Sequence, residues 1–203
     1  MPLFRSKAED KVRQAGFDPA RLPPGQYLTE KWPVLHAGDV PAVDLAAWRL
    51  DVTGEVAEPL SLSYDALAAL PATEVTTDIH CVTRWSRFDA HFRGVHWSEL
   101  ARLCGPEPTA RFAIAHAEQG FTANVPLAAL EDAQALVVYE ADGAPLTPDH
   151  GWPVRLLIPS RYLWKSAKWL TGIELSAVDK PGFWERYGYH NDADFLREQR
   201  YGF

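Results

Sequence analysis

Apolar and polar residues alternate along Trp48–Val56 (WRLDVTGEV), the period expected of a half-buried strand. Thr73–Cys81 is rich in β-formers. Further short apolar runs at Arg111–Ala117, Gly120–Val125, Ala135–Glu140, Val154–Ile158 and Trp169–Leu175 read as strands. Helical signals are fewer. Ser63 is placed to cap a helix over Tyr64–Leu70 that stops at Pro71, and Ser98–Cys104 reads as a helix with Gly105 past its end. Pro126 suits the first turn of a brief helix over Leu127–Leu130. Short strands outnumber helices, and no long helices recur between strands as a doubly wound sheet requires. The expected class is therefore α+β with a mixed sheet. No repeat or long linker interrupts residues 1–203, which are expected to form one domain. The Pro- and Gly-rich stretch 1–45 should wrap the surface as an arm. The aromatic, charged stretch 183–203 should pack back as a tail or cover a cleft.

Composition narrows the function classes. With 203 residues, 47% of them hydrophobic, the chain can bury a substantial core. A net charge of −7 argues against nucleic acid, whose phosphates an acidic protein repels. Local basic spots can still hold one small anion. No apolar run reaches the ~18 residues of a membrane span, and the first residues carry no signal-peptide core. Two cysteines cannot build a disulfide framework or a four-cysteine metal site, so a cytoplasmic location is expected. Eight tryptophans are heavy usage, suited to core anchors or to the walls of a cofactor cleft.

Chemistry gathers in three segments. Cys81 ends a β-rich run inside HCVTRWS, where Arg84 and a charged His80 would favour the thiolate, a soft metal ligand. A His80–Cys81 nucleophilic pair is the competing reading, but neighbours on a strand point to opposite faces. In DHGWPVRLLIP, Arg155 interrupts an apolar strand, either as half of an ion pair or as a guanidinium aimed at a phosphate. Arg161–Leu170 (RYLWKSAKWL) adds cations and rings suited to the rim of an anionic planar ligand.

Taken in order, HCVTRWS, DHGWPVRLLIP and KSAKWL resemble the sulfite oxidase family of molybdopterin-dependent oxidoreductases. PPGQYLTEKWPVL near the start and GFWERYGYH near the end resemble its small sulfite oxidase-like members. The resemblance implies a molybdopterin cofactor carrying molybdenum, with Cys81 as the metal's thiolate ligand and Arg84 beside it in the catalytic role. It implies cofactor contacts from Thr29, Lys31, Trp32, His80, His116, His150 and Arg155. It also places the pterin phosphate on Ser166, Ala167 and Lys168.

The likeness has gaps. Thr29 stands where the larger sulfite oxidases place a sulfite-receiving arginine, leaving Arg84, Arg87 or Arg161 as substitutes. The immunoglobulin-like and haem domains of those enzymes are not expected here, so electrons would pass to a separate redox partner. Two hypotheses follow: oxygen-atom transfer on a small-molecule substrate, with sulfite a poor one, or a non-catalytic molybdopterin carrier that kept the fold.

Overall fold

A computed structural model describes residues 7–202, so the first six residues of the expected arm and the last of the expected tail lie outside the described residues. The chain begins α1 (Lys7–Gln14), β1 (Tyr27–Leu28), β2 (Leu50–Gly54), β3 (Leu60–Leu62), α2 (Tyr64–Ala68), β4 (Ala72–His80), β5 (Trp85–His96) and α3 (Trp97–Cys104). It continues β6 (Phe112–Ala117), β7 (Thr122–Pro126), α4 (Leu127–Leu130), β8 (Leu136–Ala141), β9 (Ala144–Pro145), β10 (Arg155–Leu157), β11 (Leu170–Ser176) and α5 (Phe183–Arg186). One sheet runs β1-β5-β8-β10, with β4 on β5 and β9 on β8; the other runs β3-β2-β11-β6-β7. Each contains one parallel pair, β1 with β5 and β11 with β2, among antiparallel ones. The α+β mixed-sheet class is what the pattern predicted.

Alternation along the strands divides the core. Val137 and Tyr139 of β8 and Leu156 of β10 join Leu50 and Val52 of β2, Ala113 and Ala115 of β6 and Ile173 and Leu175 of β11 in the larger cluster. Their neighbours Leu136, Val138 and Leu157 turn the other way, to Ile79, Trp85 and Phe92. Both expected helix caps form. The Ser63 side chain accepts from the Ala66 N–H at 3.2 Å, and Gly105 closes α3 with φ +59°.

Several elements were not expected, β1, β3, β9 and α5 among them, and two more change the picture. The expected arm contains α1, a charged helix that buries only Val12. More consequential is β5, twelve residues where no strand was expected. Its outward face carries Arg87, Asp89, His91 and Arg93, and irregularities after Thr77 of β4 and between Arg93 and Gly94 shift the period. Those charges are paired across strands: Arg93 Nη1 lies 3.0 Å from Glu140, Arg87 Nη2 2.6 Å from Asp142, and Arg21 binds Asp78 and Asp89.

Candidate active site

The β4–β5 connection is the tight turn Cys81–Arg84. The Arg84 N–H donates to the Cys81 carbonyl at 3.0 Å, and the Cys81 N–H to the Trp85 carbonyl at 2.9 Å. Arg84 takes a left-handed φ of +78°, uncommon for a residue with a β-carbon. Cys81 is 8% exposed, and its Sγ lies 3.1 Å from the Thr83 hydroxyl. Burial pushes the thiol pKa up, while the Thr83 contact and the charge of Arg200 oppose it. The free thiol is therefore protonated at neutral pH, and coordination by a cation would deprotonate it.

Cys81 opens into a cavity of about 330 Å³ lined by residues 32–38, by the β10–β11 connection and by Phe183, Trp184 and Tyr189. One side is polar. Arg155, 2% exposed, donates to the carbonyls of His150 (3.1 Å) and Ser166 (2.9 Å) and lies over the Trp32 ring at 5.3 Å. Among the described residues no carboxylate pairs with it, and burial lowers its pKa to about 10. The Lys168 ammonium donates to the carbonyls of Leu35 and Asp149, both at 2.9 Å, and contacts His36 Nδ1 at 3.0 Å. Burial, then repulsion from Arg155, brings Lys168 down to about 7. His150 stacks on Trp32 with centroids 4.1 Å apart. Its Nε2 is 3.1 Å from the Trp32 carbonyl, which can only accept, so Nε2 carries the proton and Nδ1 accepts from the Thr147 hydroxyl. Gly151 has φ +106°, and a methyl there would lie 3.0 Å from Lys168 Cβ, so a side chain would push the two cation-bearing segments apart.

Another part of the lining is aromatic. Trp164, Phe183, Trp184 and Tyr189 line it, the last three from α5 and the residues after it. This wall is anchored by Lys165, 1% exposed, whose Nζ lies 2.5 Å from Glu185 and 2.9 Å from Asn124 Oδ1. Trp164 Nε1 donates to the same Glu185 carboxylate at 2.8 Å. Burial raises the Tyr189 pKa, and the charges of Tyr201 and Cys81 add to the shift, so its phenol stays a donor.

Seven of the expected residues line this one cavity: Trp32, Cys81, His150, Arg155, Ser166, Ala167 and Lys168. Five do not, and each has a physical reason. Arg84 is carried by its left-handed turn to an exposed position. His80, one residue before Cys81 on the strand, faces away, bonded to Ser86 at 2.8 Å against Phe195. The Thr29 hydroxyl accepts the Lys31 N–H at 3.1 Å, and Lys31 is exposed. His116 sits on the outer face of the second sheet, bonded to Glu174 at 2.9 Å, in a separate cleft. Sequence reasoning missed Glu118, Tyr189 and Arg200. GFWERYGYH was visible as a segment, but nothing local showed that Tyr189 would share a cavity with Cys81.

The cavity fits the group that the motifs imply. A buried guanidinium without a counter-anion, beside a desolvated ammonium, calls for a bound anion such as a pterin phosphate. A soft thiol supplies a ligand for a thiophilic metal. Residues 37–184 match the family model described as the oxidoreductase molybdopterin binding domain. The chain belongs to this molybdopterin oxidoreductase family. Molybdopterin is thus its cofactor. The chain is 45% identical over 94% of its length to an uncharacterized oxidoreductase, YuiH, of Bacillus subtilis, of which 96% is covered. It is 28% identical over 93% of its length to a putative protein-methionine-sulfoxide reductase subunit, YedZ1, of Azospira oryzae, covering 74% of that protein. A rat mitochondrial sulfite oxidase is 30% identical over 82% of the chain, which spans 37% of that enzyme. The fold matches the sulfane dehydrogenase SoxCD of Paracoccus pantotrophus with a TM-score of 0.67 at 19% identity, over 76% of this chain and 44% of that one. No helix among the described residues is long and apolar enough to cross a membrane.

Proposed function

We propose that this molybdopterin oxidoreductase reduces a small, weakly charged S- or N-oxide, receiving its electrons from a separate redox protein. Cys81 holds the metal; Arg155, Lys168 and the Ser166–Ala167 backbone hold the pterin phosphate; and Trp32 and His150 form a flat wall beside it. When bound, the cofactor supplies two-electron oxygen-atom transfer. The chain's own part is to orient it, exclude water with the aromatic wall, and keep a proton at the Tyr189 phenol in the same cavity. Overall the oxide oxygen leaves as water, consuming two electrons and two protons.

The observation that carries the substrate class is the lining near Cys81. Val82, Trp164, Phe183, Trp184 and Tyr189 line the same cavity as Cys81, while Arg84, Arg87 and Arg161 do not line it. In this lining a sulfite dianion meets no cation beyond Arg155 and Lys168, which the phosphate takes, a loss on the order of a hundredfold in efficiency. The test is steady-state assay of molybdenum-loaded protein with artificial electron donors and acceptors. S- or N-oxide reduction should exceed sulfite oxidation, and Cys81→Ser should abolish both. Sulfite oxidation at ~10⁴ M⁻¹s⁻¹ or above, ordinary for an enzyme on its own substrate, would contradict the substrate class.

A further inference from the structure

The family match covers residues 37–184, yet the Cys81 turn is gripped by two residues from outside it. Gln26, 5% exposed, donates from Nε2 to the Cys81 carbonyl at 3.0 Å. Arg200, 7% exposed, donates from Nη1 to the next carbonyl, that of Val82, at 2.6 Å. The same guanidinium reaches back to the Pro24 carbonyl at 3.4 Å and lies over the Tyr162 ring at 4.9 Å. The N-terminal and C-terminal segments interlock here. A methyl on Gly25 (φ +67°) would run into the Glu198 carboxylate and lie 3.2 Å from Arg200 Nη2.

We infer that Gln26 and Arg200 are positioning residues for the metal ligand: by bonding the consecutive carbonyls of Cys81 and Val82 they aim Sγ into the cavity and set a fixed positive charge behind it. The inference rests on Cys81 being the molybdenum ligand. Within the turn the Cys81 carbonyl has one backbone donor, Arg84, itself held in left-handed geometry, so the direction of the thiol depends on outside support. Glu198, 3.7 Å from Arg200 and 48% exposed at its side chain, screens that charge incompletely. Donors and cations around a coordinating sulfur withdraw electron density and favour the reduced, more negative metal state. A residue that only pinned the tail would alter stability and leave the metal's electronic state alone.

The experiment compares molybdenum-loaded wild type, Arg200→Gln, Arg200→Lys, Gln26→Leu and Cys81→Ser by metal content, EPR spectrum and midpoint potential. Arg200→Gln should lower the potential. Where the wild type is half reduced, the variant's oxidised-to-reduced ratio should rise about tenfold, which is about 59 mV for a one-electron step. Arg200→Lys should recover part of the shift, and Gln26→Leu should change the spectrum with a smaller shift. Wild-type potential and spectrum in Arg200→Gln would overturn the inference, whatever happens to its melting temperature. Should Arg200→Gln fail to take up metal, a wild-type spectrum in Gln26→Leu would overturn it instead. A wild-type spectrum in Cys81→Ser would overturn the ligand reading itself, a separate failure.

Discussion

Lys165 and Arg155 are buried to the same degree, 1% and 2% exposed, on packed neighbouring segments, yet their surroundings differ. Lys165 meets the Glu185 carboxylate and the Asn124 amide, and with them fixes the aromatic wall. Among the described residues Arg155 meets carbonyl oxygens and the face of Trp32, with no carboxylate. In the first arrangement the buried charge has its counter-ion within the fold. In the second a desolvated charge has no counter-ion among the described residues, the place that the proposed phosphate would fill. Buried cations near one cavity can thus be sorted into structural and binding groups by whether a carboxylate accompanies them.

The largest expected effect breaks the completed pair. Lys165→Met leaves Glu185 buried and unpaired, and should cost about 3–5 kcal/mol of folding stability with or without cofactor. Denaturant unfolding of both forms measures it. Arg155→Met should do the reverse. The cofactor-free protein should lose less than about 1 kcal/mol, since an unpaired buried charge leaves with the side chain. Cofactor affinity should fall by about 1.5–3 kcal/mol, read as molybdenum per chain. Equal losses of stability in the two variants would erase the distinction.

Lys168 sharpens the comparison through pH. Its folded pKa, about 7, lies below the ordinary lysine value of 10.5. Between those values the unfolded chain holds a proton that the folded, cofactor-free chain lacks. This group's penalty on stability is therefore full below about pH 7 and is relieved as pH rises toward 10.5. Phosphate binding needs the charged form, so cofactor retention should weaken above pH 7. The slope should be at most tenfold per pH unit, and Lys168→Met should flatten it. Retention that stays level from pH 6 to 9 in the wild type would remove Lys168 from the phosphate site.

Much of this was legible in the sequence, for local reasons. Ser63, Gly105 and Pro126 act within a few residues of themselves, and strands such as Leu50–Gly54 kept the alternation that announces them. Cys81, Arg155 and Lys168 sat in motifs whose chemistry is carried by residue type. Strand β5 was not legible, because its bulges shift the period and its charges are neutralised by partners on β4 and β8, far along the chain. His116 was drawn into the site by its position in the sequence, whereas sheet alternation turns it to the outer face. Arg200 lies 119 residues from Cys81 (200 − 81), and only the closing of the tail onto the arm brings them together.

The smallest effects are expected from residues outside both buried-cation regions. Cys104→Ala, in the larger core, and His116→Ala, on the outer face, should leave molybdenum content and turnover unchanged, with at most a modest loss of stability for the cysteine. A loss of metal in His116→Ala, measured by elemental analysis, would extend the cofactor site beyond the cavity lined by Cys81 and Arg155.

X-ray absorption at the molybdenum edge, on wild type and Cys81→Ser loaded with cofactor, tests the central claim most directly. Coordination by the Cys81 thiolate predicts one fewer sulfur neighbour in the variant, with the phosphate-held cofactor still bound. An identical sulfur shell in the two proteins would contradict it.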